Sequence, residues 1–496
     1  MEFIRGEDRE QAILFPDSID DYIEENNTVR VIEAFINSLD LREMEFKRYE
    51  PAETGRPAYN PKDMLKLYVY GYMNRIRSSR RLENESKRNL EVMWLLQKLT
   101  PDHKTIANFR KDNKKEIKNV FRSFVRLCVK LDLYGKELVA VDGSKFKAVN
   151  SRDRNFTKDK LKDRLARIDE RIEAYMNELE KADKEEDAAA GGKTAAEISG
   201  IIKGLKERKE TYQAITEEME KAGETQKSLT DADSRLMLSH GKMDVCYNVQ
   251  TAVDAKNKLI VDFEVTNNAT DVNQLTFMAE KAMEILEVER LAVVADKGYD
   301  SASDIAAAVL KGVDVHVAGS DIQICVPAQE VERTEITSHQ GGRCIYLKDR
   351  NIALCPMGKT LYPQYYKKTG SKAVFGNVSA CKQCACRCTE EKGVHRCQFF
   401  MKESEFSKDY RDNDLTVKQI HVKARKEITA QRKCVVEHQF GTIKRNMDAG
   451  YCLLKGKIKV TAEFSLVYLA YNLKRVINIL GCKELTDCIL NDACPA

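Results

Sequence analysis

The sequence predicts a mixed α/β fold in which a sheet is flanked by helices and preceded by an all-helical N-terminal unit. Three observations carry this expectation. MDVCYNVQTAVD (243–254) and KLIVDFEVT (258–266) alternate apolar residues with period two, as half-buried strands do. VAVD (139–142) and VVAD (293–296) are short apolar runs that each close on an aspartate. Segments of helical period separate and surround them, and such an order of strands and helices builds one mixed sheet.

Residues 1–135 read as helices. YNPKDMLKLYVYGYMNRIRSSRRLENE has Leu65, Tyr68 and Tyr72 at helical spacing and Pro61 in a first-turn position. TPDHKTIANFRKDNKKEIKNVFRSFVRLCVKL opens with a capping Thr100 and places Ile106, Phe109, Val120, Phe124 and Leu127 on apolar faces. KELVAVDGSKF (136–146) holds the first strand, a short apolar run expected to end at Asp142, and opens the sheet, which is expected over 136–156 and 229–319. A helix is expected at 271–288, a strand at 289–296, a helix at 301–312 and a strand at 313–319. Two insertions interrupt this order. In 157–228, Leu161, Leu165, Ile168, Ile172, Tyr175 and Leu179 follow the a/d spacing of a coiled coil, so 157–221 reads as a helical hairpin turning at AAAGGKT (188–194). It is either an arm for a partner or a self-contained coil. The second insertion, 320–410, holds the dense cysteines; 411–482 returns to the core with helices at 418–447 and 459–480, and 483–496 is a tail.

Composition sets limits. With 496 residues, 43% apolar and 32% charged, the chain is long enough for several domains and too apolar for wholesale disorder. It contains no apolar run of about 18 residues, so no membrane span is expected. The charged start MEFIRGEDREQ has no signal-peptide core, which points to the cytoplasm. Net charge is only +4, but RIRSSRR (75–81) and RKDNKK (110–115) are basic clusters set against acidic ELEKADKEED (178–187). Local basic faces of this kind suit nucleic acid, with Arg75, Arg77, Arg80 and Arg81 as candidate phosphate contacts.

Asp142 and Asp296 each end a buried apolar run, so neighbouring strands would bring them together at one end of the sheet. Glu437 is the best third acid. Val436, Phe440, Ile443 and Met447 mark the core face of its helix, while Lys433, Glu437, Gly441 and Lys444 form the adjacent stripe. Gly441 costs about 1 kcal/mol of helix propensity against alanine, but leaves space for an anionic backbone beside two lysines. Clustered carboxylates call for divalent cations, and Mg²⁺ combines a few carboxylates with water and phosphate oxygens. Asp254, Asp262, Asp271 and Asp300 compete; Asp262 sits on the polar side of its strand, and Asp254 and Asp271 read as turn or cap residues. His438 reads as a helix-surface histidine with a possible approach to DNA.

Fifteen cysteines are many for a cytosolic chain, where disulfides are rare. CPMG (355–358) and CKQCACRCTEEKGVHRC (381–397) supply a Zn²⁺ set. Cys381 and Cys384 form a Cys-x2-Cys pair, Cys355 has the proline and glycine of a knuckle, and Cys386 or Cys388 would complete the tetrahedron. Cys397 and His395 are spare. Four thiolates leave no open position, which makes the expected site structural.

VAVDGSKF, VVADKGYDS and VEHQFGTIKR, in that order, resemble the three catalytic segments of bacterial insertion-sequence DDE transposases, most of all the insertion-sequence-1182 group. GRPAYNPKDMLKLYVYGYMNRIRSSRRLE and MDVCYNVQTAVD share the resemblance, which runs from about residue 10 to 480. It implies an RNase H-like sheet with Asp142, Asp296 and Glu437 as catalytic ligands of Mg²⁺ or Mn²⁺. It also implies that Lys444, seven residues after the glutamate, contacts DNA. The Tyr and Arg that precede the glutamate in related transposases are Ala430 and Lys433 here, with Arg432 one position off. Arg432, Lys433 and Arg445 join the candidate DNA contacts. The resemblance also places a Cys-rich insert before the glutamate and favours Cys388 as the fourth zinc ligand.

The expected activity is therefore cleavage at terminal inverted repeats and joining of the freed 3′-hydroxyls to target DNA by two-metal phosphoryl transfer. The expected partners are double-stranded DNA and a second copy of the chain on DNA, in a bacterial cytoplasm and at the nucleoid when bound. Two rival readings differ in outcome: a nuclease of the same fold without strand transfer, and a silent transposase-derived DNA-binding protein.

Overall fold

The computed structural model describes residues 18–50, 57–150, 154–184, 195–239, 241–327, 336–338, 344–384, 396–413 and 415–491. The N-terminal unit comprises helices α1 (Thr28–Ser38), α2 (Pro61–Met73), α3 (Ser79–Arg88), α4 (Leu90–Leu95), α5 (His103–Asp112) and α6 (Glu116–Lys130). Its caps are the ones the residues dictate: Asn27, Asn60, Asn89 and Asp102 each accept from backbone N–H groups of a first turn, and Pro61 opens α2.

Strand β1 (Leu138–Lys147) opens the sheet; β2 (Asn155–Thr157), helices α7 (Lys158–Lys184) and α8 (Ala195–Lys221), and β3 (Gln226–Ser228) form the hairpin arm. Then come β4 (Arg235–Ser239), β5 (Lys242–Asp254), β6 (Ile260–Thr266), α9 (Leu275–Leu286), β7 (Leu291–Ala295), α10 (Ala302–Leu310) and β8 (Val313–Val317). In the sheet β5 lies against β1, then β7, then β8, and the far edge of β5 pairs with β4 and β6. β1 is antiparallel to β5 and parallel to β7, and β7 is parallel to β8. The sheet is thus mixed, as expected.

Beyond it, β9 (Asp321–Pro327) precedes a meander of β10 (Ile336–Ser338), β11 (Ile345–Leu347), β12 (Ile352–Leu354), β13 (Thr360–Lys367), β14 (Lys372–Gly376), helix α11 (Val378–Lys382) and β15 (Arg396–Phe400). The chain then returns through β16 (Val417–Lys423), α12 (Lys426–Gly441), α13 (Lys457–Leu480) and α14 (Cys482–Leu490). Among the described residues no helix is long and apolar enough to cross a membrane.

Three expectations are corrected. The helix predicted at 418–447 begins only at Lys426, because Ile420 and Val422 alternate inward and their strand pairs with β9. The helix predicted from 271 begins at Leu275, since Asp271 is engaged with the sheet instead. β1 does not end at Asp142 but runs to Lys147, paired with β5 throughout.

The helical unit is not a separate body. One continuous cluster of buried side chains runs from Ile23 to Ile489, through α2, α6, the sheet and α13. Phe121 of α6 meets Phe263 of β6 edge-on at 5.4 Å, and Phe263 meets Tyr468 of α13 at 4.7 Å. The insert keeps a smaller cluster of its own around Tyr346, Phe375 and Phe399. In the arm, Leu161 and Ile168 are buried along with Ile198, Ile202 and Leu205, so the predicted seam is used within the hairpin.

Candidate active site and nucleic-acid interface

Register decides where the two aspartates stand. Leu138, Val139 and Ala140 of β1 pair with Ala292, Val293 and Val294 of β7. Carrying that register two residues further sets Asp142 level with Asp296 on adjacent parallel strands. Asp142 lies where β7 pairing stops while β5 pairing continues, opposite Thr251. Asp296 follows Ala295 and caps the short turn Lys297–Tyr299, its Oδ1 accepting from the Gly298 N–H at 2.8 Å. The residue is therefore a turn cap whose position also suits a ligand.

α12 lies across β1 and β7. Val435, Val436 and Gln439 face the sheet, and the Gln439 amide donates to Thr251 Oγ1 at 2.6 Å. Arg432 shares that inward side and places its guanidinium 3.3 Å from Asp142 Oδ2. Burial pushes the Asp142 carboxyl up to about 7; Arg432 opposes this, and the charges of Asp296 and Asp271 add to it. A raised carboxyl pKa means that the folded chain holds a proton which the unfolded chain releases above its ordinary value. Stability from this group is therefore present at low pH and lost as pH rises through about 7. Metal-free Asp142→Asn should gain on wild type between pH 5 and pH 8 by about 1–2 kcal/mol, allowing for partial exposure. Urea denaturation at the two pH values measures this, and parallel pH dependences would contradict it.

Glu437 does not converge with the aspartates. Five residues beyond Arg432, it sits about 140° around the helix, exposed, with no ion pair or hydrogen bond among the described residues. It shares its edge with Phe440, whose ring lies 6.3 Å from that of Phe146, and with Lys444. Lys444 Nζ donates to Ser144 Oγ at 2.7 Å and to the Lys145 carbonyl at 3.2 Å, two and three residues beyond Asp142. Burial lowers its pKa. Gly441 stands open as expected, with nothing within 4 Å of an added Cβ. Among the described residues no three His, Cys, Asp or Glu side chains form a group that could hold a metal ion. The inward face of α12 thus presents Arg432 to Asp142, with Glu437 on the exposed edge of the same helix.

The acid the sequence reading misassigned is Asp271. Neither turn nor cap, it accepts from Asn248 Nδ2 at 2.7 Å, Gln250 Nε2 at 2.6 Å and Lys145 Nζ at 3.2 Å. A Cβ at Gly143 would run into Asp271 Oδ1 and Gln250 Nε2, so glycine is required there by close approach. Asn248 and Gln250, two buried amides two residues apart on one strand, were the available signal. Asp254 is the turn residue it was expected to be, accepting from the N–H groups of Gly135, Lys136 and Lys256. His438 packs on α13, its Nδ1 3.0 Å from Tyr471 Oη.

Of the candidate DNA contacts, Arg75, Arg80, Arg81, Lys433 and Arg445 are exposed. Arg432 is engaged by Asp142. Arg77 is a correction. It is 6% exposed and donates to the carbonyls of Asp448 and Tyr451 and to Glu463. Its guanidinium is a peg, not a phosphate contact, and it pins the 75–81 stretch beside the segment that follows Lys444 and Arg445.

In the insert, Cys355 follows β12 directly and starts a tight turn. The Lys359 N–H donates to its Sγ at 3.3 Å and the Gly358 N–H to its carbonyl at 2.9 Å, with Gly358 at φ +74°. Burial raises the Cys355 thiol, with the charges of Cys381 and Cys384 adding to the effect. Cys386, Cys388 and His395 lie outside the described residues. The spare Cys397 is paired with Cys344 in a disulfide, which removes it as a free thiolate.

With this geometry in place, similarity to known proteins adds direction. Residues 17–112 match a family described as a transposase domain (DUF772), and residues 354–477 match one described as a transposase DDE domain. Both matches are to transposase families. The second transposase match contains Cys355, Cys381, Cys384, Glu437 and Lys444, and the first contains the 75–81 stretch; β1 and β7 lie outside both. A solved structure, the piggyBac transposase synaptic complex with hairpin DNA, aligns over 94% of this chain and 79% of its own. Its identity is 8% and its TM-score 0.29, too low to carry an argument. No curated protein matches the chain.

Proposed function

We propose that this chain is an insertion-sequence DDE transposase of the insertion-sequence-1182 type, with an RNase H-like core, that cuts DNA at terminal inverted repeats and joins the 3′ ends to target DNA. The observation that carries the proposal is the shared register of Asp142 and Asp296 on adjacent parallel strands. The transposase matches on both sides of that sheet support it.

The residues suit divalent cations. Asp142 resists ionisation because it is buried beside two further acids with one guanidinium to offset them, and a cation relieves such a site. Asp142 and Asp296, with Glu437 brought in from the edge of α12, would hold Mg²⁺ or Mn²⁺. Bound there, the ions would supply a deprotonated nucleophile and stabilise the leaving oxygen. The chain's own side chains do the rest. Arg432 releases Asp142 and is free to meet a phosphate. Lys444, fixed against Ser144, offers a positive charge where the backbone must lie. Arg75, Arg80, Arg81, Lys433 and Arg445 neutralise phosphates further out, and a second copy holds the other end.

An Mg²⁺-dependent assay on DNA carrying the flanking terminal repeats tests this, with a gel that separates joined from merely cut products. Cutting with joining supports the transposase; cutting alone would favour a nuclease. Binding without cutting would favour the silent DNA-binding protein, a reading that the outlying Glu437 gives some footing.

Cys355, Cys381, Cys384 and Cys388 are proposed to hold one structural Zn²⁺; the N–H···S bond at Cys355 supports a knuckle. Elemental analysis should find one zinc per chain, and Cys381→Ser should lose it along with insert stability. A zinc-free wild type of equal stability would remove the site.

A further inference from the structure

Gln250 and Asp271 join the two acid-bearing segments from behind. Asp271 Oδ2 accepts from Lys145 of β1, three residues beyond Asp142. Its Oδ1 accepts from Gln250 Nε2, and Gln250 Oε1 in turn accepts from the hydroxyl of Tyr299, three residues beyond Asp296. Tyr299 is fully buried, so its ring fixes the turn that Asp296 caps. The same loop is held further along, where Ser301 Oγ donates to Asn273 Oδ1 at 2.8 Å and Asp304 accepts from the N–H groups of Leu275 and Thr276.

Two glycines make room for this arrangement. Gly143 admits Asp271 against β1, and a Cβ at Gly298 would stand 2.9 Å from Asp296 Oδ1 and 3.6 Å from Asp271 Oδ2. Asn248 is buried too, and its Oδ1, without a hydrogen-bond partner, would lie 3.0 Å from the same Gly143 Cβ. One buried oxygen beside Gly143, Asn248 Oδ1, is therefore left without a donor.

We infer that Asp271 is a positioning residue for the proposed metal site: through Lys145 on one side and Gln250–Tyr299 on the other, it sets the separation of Asp142 and Asp296. The inference rests on the proposed function for its chemistry, but not for its readout. Partners that orient metal ligands typically cost about 10–100-fold in metal affinity or activity when removed.

The test uses the full chain as wild type, Asp271→Asn and Tyr299→Phe, titrated with MnCl₂ by calorimetry and assayed for repeat binding and cleavage. Asp271→Asn should weaken Mn²⁺ binding about 10-fold and slow cleavage at saturating DNA by up to about 100-fold. Affinity for the DNA ends should stay within about twofold, as uniform loss of fold would not allow. Tyr299→Phe, which keeps the ring and severs only the hydroxyl link, should show the same pattern more weakly. It also decides the matter if Asp271→Asn fails to fold. Mn²⁺ affinity unchanged in the folded variants would overturn the inference. If wild type cuts no DNA, the proposed function fails, and the Mn²⁺ titration alone still decides the role of Asp271.

Discussion

Asp296→Asn is expected to bind terminal repeats as wild type does and to cut them at least about 10³-fold more slowly, at any Mg²⁺ concentration. The substitution is well suited to separate two roles. Asparagine keeps the Oδ1 acceptor, so the 2.8 Å bond from Gly298 N–H that closes the turn survives. What is lost is one negative charge level with Asp142. Several kcal/mol of transition-state stabilisation depend on such a ligand, and each 1.36 kcal/mol is about tenfold in rate. End binding is read by gel shift and cutting by product gel. Near wild-type cutting would reduce Asp296 to a turn cap and end the transposase reading of this site.

The second large effect is on stability. Arg77→Ala should cost about 3–5 kcal/mol, the range for removing one partner of a buried pair. Glu463, 2% exposed, would lose its ion-pair partner and be left with the Leu453 and Leu454 N–H groups and the more distant positive charge of Arg110, and the carbonyls of Asp448 and Tyr451 would lose this donor. The ring of Tyr451, 4.7 Å from the guanidinium, would lose its cation as well. Urea denaturation measures the loss. A variant of wild-type stability with weaker, less salt-dependent DNA binding would instead restore Arg77 to the phosphate contacts expected from the sequence.

The sequence made one kind of information plain and hid another. Period-two alternation exposed β5 and β6, and the apolar runs before Asp142 and Asp296 placed one acid on a strand and the other just past the end of its parallel neighbour. Heptad spacing exposed the arm. These are local patterns written by burial. The side of α12 that faces the acids was not local. Its core face was read from Val436 and Ile443 correctly, yet Arg432 on the same side was assigned to DNA, because a half-buried ion pair with Asp142 requires knowing what lies opposite. Arg77 failed for the same reason: within RIRSSRR nothing marks which arginine turns inward toward Glu463, 386 residues away. Asp271 looked like a cap because it stands just before a helix. Its partners sit on β1 and β5, out of reach of any local pattern.

Among the described residues one continuous core links α2 and α6 through β6 to α13, and so joins the helices that carry Arg80 to the sheet that leads to Asp296. A DNA end gripped by the arginine stretch would meet the aspartates at a fixed reach, as stock meets a blade behind a stop. Each base pair added between the gripped and the cut positions would carry the target phosphate about 3.4 Å past that blade. Where this chain cuts would then be a length built into the protein, counted from its hold on the repeat.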